Sequence, residues 1–301
     1  MEALQRVYTV HERTHELDPS AFAALAPSIV GIAASGESKV SAELLAQLPA
    51  VRVVSVFGVG YDGVDAKAAV ARGVPVTHTP DVLTDDVADL AMGLVLSVAR
   101  LIPQADVHVR AGRWPAGIMP LGRKVSGARI GIVGLGRIGN AIARRAKAFD
   151  MAISYTARTE KPGSGYTYYP TASALAAEVD FLVVITPGGA GTRHLINAEV
   201  LAALGPQGYL VNVARGSVVD EAALVSALQN GVIAGAALDV FANEPNVPAE
   251  LWGMPNVVLT PHMASATRQT RQAMADLAFA NMKAGLEGQP LLTPVPECRP
   301  A

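Results

Sequence analysis

A single cysteine among 301 residues, Cys298 in a proline-rich tail, excludes an intrachain disulfide, and no Cys/His spacing along the chain suits zinc, so no metal site is expected. Charge is sparse as well. Asp, Glu, Lys and Arg make up 17% of the residues and leave a formal net charge of -2 at pH 7, so there is no basic field for nucleic acid. No apolar run approaches the length that spans a bilayer, which sets aside a membrane partner. The opening MEALQRVYTV lacks a basic segment followed by an apolar one; no secretory signal is expected, and the expected location is cytoplasmic. Aromatics are few, at 5%, while half of the residues are apolar, with many Ala, Val and Gly. Helices packed on parallel strands use that mixture, and the length suits two α/β domains better than one.

Short Val/Ile-rich runs alternate with Ala/Leu-rich helical stretches, the pattern of βαβ units. It occurs twice. The first set, at 6–10, 29–35, 51–56 and 74–79, predicts a small flavodoxin-like open sheet of four or five strands. The second, at 129–133, 152–156, 181–186, 209–213, 234–240 and 257–260, predicts the six strands of a doubly wound, dinucleotide-binding parallel sheet. Between them 84–102 reads as a capped, largely buried helix that carries the domain crossover, and 265–286 reads as a helix after which the tail PLLTPV returns to the first domain. The expected architecture is therefore α/β with two Rossmann-like domains: a discontinuous domain of residues 1–98 and 267–301, and an inserted dinucleotide-binding domain of residues 99–266.

Two segments match G-x-G-x-x-G, one from Gly58 to Gly63 and one from Gly134 to Gly139. Charge separates them. A pyrophosphate at the helix start would face Asp62 and Asp65 in the first and Arg137 in the second, which favours the second. There Gly134 permits the tight bend, Gly136 lets the backbone approach phosphates, and Gly139 lets the helix sit close to its strand. The end of the next strand bears no acid for ribose hydroxyls; Arg158 and Thr159, with Lys161, suit a 2'-phosphate, so NADPH is the expected cofactor and NADH the weaker alternative.

Arg215, Glu244 and His262 each close an apolar run. A cation can hold a substrate carboxylate, an imidazole can protonate a carbonyl oxygen, and a carboxylate can keep that imidazole charged, which points to hydride chemistry on a small carboxylate. Singly, each has an ordinary reading as loop anchor, turn residue or helix cap. Jointly they lie at strand ends on one sheet edge, where open α/β folds bind ligands. His11, His15, His78, His108 and His194 have no comparable setting and read as surface or satisfied core.

The segments FGVGYDGVD (57–65), VGLGRIG (133–139), TRHLIN (192–197), VNVARG (211–216), LDVFANEP (238–245) and LTPHMASA (259–266) together resemble the D-isomer-specific 2-hydroxyacid dehydrogenase family, nearest its NADP-dependent glyoxylate/hydroxypyruvate and hydroxyphenylpyruvate reductase branch. The resemblance implies that Arg215 grips the substrate carboxylate, that His262 is the acid/base, and that Glu244 hydrogen-bonds the imidazole and favours its charged form. It implies that Asp239 meets the nicotinamide, and that the N–H groups of Val59 and Gly60 bind the substrate carboxylate. Ile138, Thr186, Pro187, Thr192, Val213, Ala214 and Ser265 complete the implied nucleotide contacts. The implied reaction is reduction of a small 2-keto acid, glyoxylate, hydroxypyruvate or an arylpyruvate, to the D-2-hydroxy acid; the alternative is a non-catalytic sensor of nicotinamide nucleotides. A homodimer is implied too, with 113–123 (RWPAGIMPLGR) near its contact; Trp114 and Met119 there either influence substrate size or, the reading favoured, serve ordinary packing. The loop Gly188-Gly189-Ala190-Gly191 departs from the family pattern and leaves contacts there open.

Overall fold

The computed structural model describes residues 2–36 and 38–298. The chain divides into two compact units, Met1–Leu83 with Thr267–Ala301, and Thr84–Ala266. The boundary expected at 98/99 thus falls at 83/84, because the helix Thr84–Arg100 belongs whole to the second unit. Its Ala88, Ala91, Leu94, Val95 and Val98 are buried, and it packs on the helix Arg137–Lys147. Arg145 of that helix fastens the pair, its Nε donating to Asp89 at 2.5 Å and its Nη2 to Asp85 at 3.1 Å.

In the first unit β1 (Gly31–Ser35), β2 (Val53–Phe57) and β3 (Val76–Thr77) form a parallel sheet in that order. The expectation of four or five strands beginning at 6–10 is not met: a helix, Glu2–Gln5, stands before that run, and the Tyr8 N–H turns back to the Leu4 carbonyl at 2.8 Å. Val7 is left exposed, while the Tyr8 ring lies 6.3 Å from that of Phe279. Alternating apolar residues are used here for an aromatic contact on a helix instead of a ladder. That helix, Arg268–Glu287, is capped by the Thr267 hydroxyl and covers β2, whose Val53, Val54 and Val56 are fully buried. The following segment does run to the sheet, where Pro294 bridges Thr77 antiparallel and the Val295 N–H donates to the Val76 carbonyl at 3.0 Å.

The second unit holds β4 (Arg129–Val133), β5 (Ala152–Thr156), β6 (Thr167–Tyr168), β7 (Phe181–Val184), β8 (Tyr209–Asn212), β9 (Gly235–Leu238) and β10 (Val257–Leu259). All pairs are parallel, in the order β10-β9-β8-β7-β4-β5-β6. The six anticipated strands are present; β6 adds a short edge whose Tyr168 packs on Tyr155 at 5.4 Å. Chain order reverses between β4 and β7, the point at which doubly wound sheets bind ligands beyond their carboxyl ends. Several apolar runs continue past their ladders, so Thr186, Val213, Asp239 and Thr260 are carried out at that edge.

Candidate active site

The turn from β4 into the helix Arg137–Lys147 needs its glycines. Gly134 has φ 108°, and a Cβ there would lie 3.0 Å from the Thr186 nitrogen. A Cβ at Gly139 would overlap the Gly134 carbonyl oxygen, whereas one at Gly136 would point into open space. Close helix-strand packing at Gly139 and an open approach at Gly136, just before the first helical N–H groups of Arg137 and Ile138, fit a dinucleotide pyrophosphate. The competing turn does not start a helix at its third glycine; the next helix is Ala66–Ala71, capped by the Asp65 carboxylate.

Arg158 and Thr159 are exposed just beyond β5, and Arg158 forms no ion pair among the described residues. The turn that carries them is built from within: the hydroxyl of buried Tyr155 accepts from the Lys161 N–H at 2.7 Å. Beyond β7, Thr186 is half-buried and Pro187 exposed. The glycine loop that follows is closed by Thr192, whose hydroxyl donates to the Pro187 carbonyl at 2.7 Å and whose N–H donates to that of Gly189 at 3.1 Å. Thr192 therefore shapes this loop from inside.

After β8, Val213 and Ala214 are buried and Arg215 half-buried. Sequence reasoning missed Asn212, a buried amide that sets the turn: its Oδ1 accepts from the Ala214 N–H and its Nδ2 donates to the Arg215 carbonyl, both at 3.1 Å. Arg215 Nη1 donates to the Ala214 carbonyl at 2.7 Å. A Cβ at Gly216 would collide with the backbone of Phe241, so this turn sits directly on the segment that leads from Asp239 to Glu244.

Glu244 and His262 meet as anticipated. Glu244 Oε2 lies 2.7 Å from His262 Nδ1, and Oε1 accepts from the Phe241 N–H at 2.8 Å. An ionised carboxylate can only accept, so Nδ1 carries the proton of this bond. His262 has φ 48°, a left-handed conformation held by its N–H donating to the Asp239 carbonyl at 2.8 Å. Fully buried Asp239 organises the same loop: Oδ1 accepts from the Thr260 hydroxyl at 2.6 Å and the Met263 N–H at 2.9 Å, and Oδ2 from the Ala264 N–H at 2.9 Å. Burial pushes its carboxyl above the usual aspartate range in spite of these donors. Thr260, which had no signal of its own in the sequence, is one of them. Ser265 is half-buried at the end of this loop.

In the first unit, the 58–61 loop after β2 is bound on both sides: the Gly58 N–H donates to Thr79 Oγ1 at 3.0 Å, and the Gly58 carbonyl accepts from the Thr79 N–H at 2.8 Å. Val59 and Gly60 lie within it, half-buried.

Residues 92–264 match the model of "D-isomer specific 2-hydroxyacid dehydrogenase, NAD binding domain". The chain is 52% identical to the hydroxyphenylpyruvate reductase of Plectranthus scutellarioides, over 90% of this chain and 86% of that one. It is 50% identical to glyoxylate/hydroxypyruvate reductase A of Arabidopsis thaliana, over 89% and 85%. Among solved structures, the NADPH-dependent glyoxylate/hydroxypyruvate reductase of Sinorhizobium meliloti in complex with NADP and malonate superposes with a TM-score of 0.87 at 53% identity, covering 93% of this chain and 90% of that one. With the glycine turn and the His262–Glu244 pair in place, these likenesses show that the chain belongs to the D-isomer-specific 2-hydroxyacid dehydrogenase family of NAD(P)-dependent oxidoreductases.

Proposed function

We propose that the chain reduces glyoxylate or hydroxypyruvate to the D-2-hydroxy acid with NADPH, with His262 as proton donor. The 2.7 Å pairing of His262 Nδ1 with Glu244 carries this reading, because it sets a carboxylate against the imidazole, where it orients the ring and favours its protonated form. Bound NADPH supplies a hydride to the keto carbon. Arg215 holds the substrate carboxylate and polarises the keto oxygen, and His262 Nε2 delivers the proton that this oxygen takes up. Glu244 keeps the ring oriented and stabilises its positive charge before the transfer. Gly134, Gly136, Arg137, Ile138 and Gly139 hold the pyrophosphate, Arg158 and Thr159 the 2'-phosphate, and Thr186, Pro187, Thr192, Val213, Ala214, Asp239 and Ser265 line the rest of the nucleotide. Val59 and Gly60 offer N–H donors to the carboxylate. The proposed location is the cytoplasm; no helix among the described residues is long and apolar enough to cross a membrane.

The assembly we propose is a homodimer through the helix Ile102–Arg110 and the segment after it. Trp114, Ile118 and Leu121 are 66%, 90% and 95% exposed there. Beside them Gln104 Oε1 and His108 Nε2 are buried without a partner among the described residues.

The test follows the absorbance of NADPH, and separately NADH, with purified protein and glyoxylate, hydroxypyruvate, pyruvate or hydroxyphenylpyruvate. Fastest turnover of NADPH with glyoxylate or hydroxypyruvate is expected. NADPH binding with no turnover of any acid in the panel would contradict the proposal, and preference for hydroxyphenylpyruvate would replace the small acids by an arylpyruvate.

A further inference from the structure

His78 takes no part in the chemistry above, yet it is 8% exposed and its Nδ1 lies 2.9 Å from the Val59 carbonyl oxygen. We propose that His78 is a positioning residue that aims the Gly60 amide of the 58–61 loop at the substrate carboxylate. This rests on the reading of Val59 and Gly60 as carboxylate donors.

A carbonyl only accepts, so Nδ1 carries the proton and donates it. Both peptide bonds are trans, and in a trans peptide the N–H points opposite to the preceding C=O. The Gly58 carbonyl is drawn to the Thr79 N–H, which turns the Val59 N–H the other way. Likewise the Val59 carbonyl is drawn to His78, which turns the Gly60 N–H away from the imidazole. Neither the Val59 nor the Gly60 N–H has an acceptor among the described residues. Two successive amides, each aimed by a bond on the carbonyl of its own peptide unit and lacking an acceptor among the described residues, are the donor type an anion recruits. The first is aimed by a main-chain bond that any residue but proline at 79 would supply. The second depends on a side chain.

That side chain is itself fixed. The His78 N–H donates to the Thr293 carbonyl at 3.2 Å, and its carbonyl accepts from the Thr293 hydroxyl at 2.6 Å. Tyr61 meets the imidazole edge-on, with ring centroids 5.5 Å apart at 87°. The Tyr61 hydroxyl donates to Glu297 Oε2 at 2.9 Å; burial, and then this carboxylate, pushes the phenol above its usual range, so it remains a donor. Residues 293–297 thus brace the histidine through its backbone and through the ring packed on it.

The test compares His78→Leu, which removes the donor, with His78→Asn, whose amide restores an N–H of similar reach. For each, KM for glyoxylate, Ki for oxalate, the NADPH dissociation constant and the thermal midpoint are measured. Expected for His78→Leu is a rise in KM and Ki of about tenfold with NADPH binding unchanged, and for His78→Asn a return to within about threefold of the parent values. Unchanged KM in His78→Leu would overturn the proposal, as would equal damage in both, which would mean that ring volume matters and the donor does not. Should His78→Leu not fold, His78→Asp against His78→Asn carries the test: a higher KM for the aspartate alone supports the role, and equal values refute it. Gly60→Pro deletes the amide itself. If that variant folds and KM does not change, the carboxylate reading of the loop fails; if KM rises there but not in His78→Leu, only the role of His78 falls.

Discussion

In the nucleotide site proposed above, a carboxylate beyond β5 would accept ribose hydroxyls and repel a 2'-phosphate, and this chain has Arg158 there instead. Arg158→Ala is expected to weaken NADPH by about 10- to 100-fold, the equivalent of one lost charge-assisted contact of roughly 1.5–3 kcal/mol, and to leave NADH nearly unchanged. Titration of nucleotide fluorescence checks both, and an equal loss for the two nucleotides would remove Arg158 from the phosphate site. At this scale the sequence is readable where chemistry restricts residue type. Arg215, Glu244 and His262 stood out because few other side chains can hold a carboxylate or move a proton. Asn212, Thr260 and His78 did not, because their importance lies in partners elsewhere in the chain: His78 is 19 residues from the carbonyl it holds, Thr260 is 21 from Asp239, and no local pattern marks either pairing.

Strands and helices were legible where apolar periodicity and burial agree. The six runs of the second unit are such cases, for β7 and β9 are buried along their whole length and β4 and β8 at every residue after the first, so these strands are largely apolar. Residues 6–10 carry the same signature without the ladder, and β6 has the ladder without the signature, its place being fixed by Tyr168 against Tyr155. One carboxylate also holds elements together at the opposite end of the sheet. Asp180, just before β7, accepts from the Arg129 N–H at 2.8 Å and Nη2 at 3.0 Å, and from Arg123 Nη2 at 2.8 Å. Burial alone would raise its pKa, but the Arg129 guanidinium and N–H, with Arg123, outweigh it and hold the group below the usual aspartate range. A folded pKa below the unfolded one gives stability that is present above about pH 4 and is lost as pH falls through the folded value. Asp180→Asn is therefore expected to cost roughly 1–3 kcal/mol at pH 7, with the difference from the parent shrinking below about pH 4. Thermal midpoints across that range decide it; a pH-independent difference would mean that Asp180 acts by shape alone.

For the molecule as a whole, the proposed dimer rests on the exposed apolar side chains of Trp114, Ile118 and Leu121. Sedimentation should show a dimer at micromolar concentration, shifted towards monomer by Ile118→Asp; a parent protein that sediments as a monomer would refute the assembly. The two-unit organisation was visible in the doubled βαβ pattern, but its boundary was not, since the long helix Thr84–Arg100 is apolar enough to suit either unit and its packing, on the helix Arg137–Lys147 and on β8, β9 and β10, decides. The most direct measurement is the rate of NADPH oxidation with hydroxypyruvate by the parent protein and by His262→Ala, with NADPH binding measured in parallel. A fall in kcat of at least about a hundredfold while NADPH binds as before is the expected result. Parent-like kcat in His262→Ala would contradict the assignment of His262 as the proton donor.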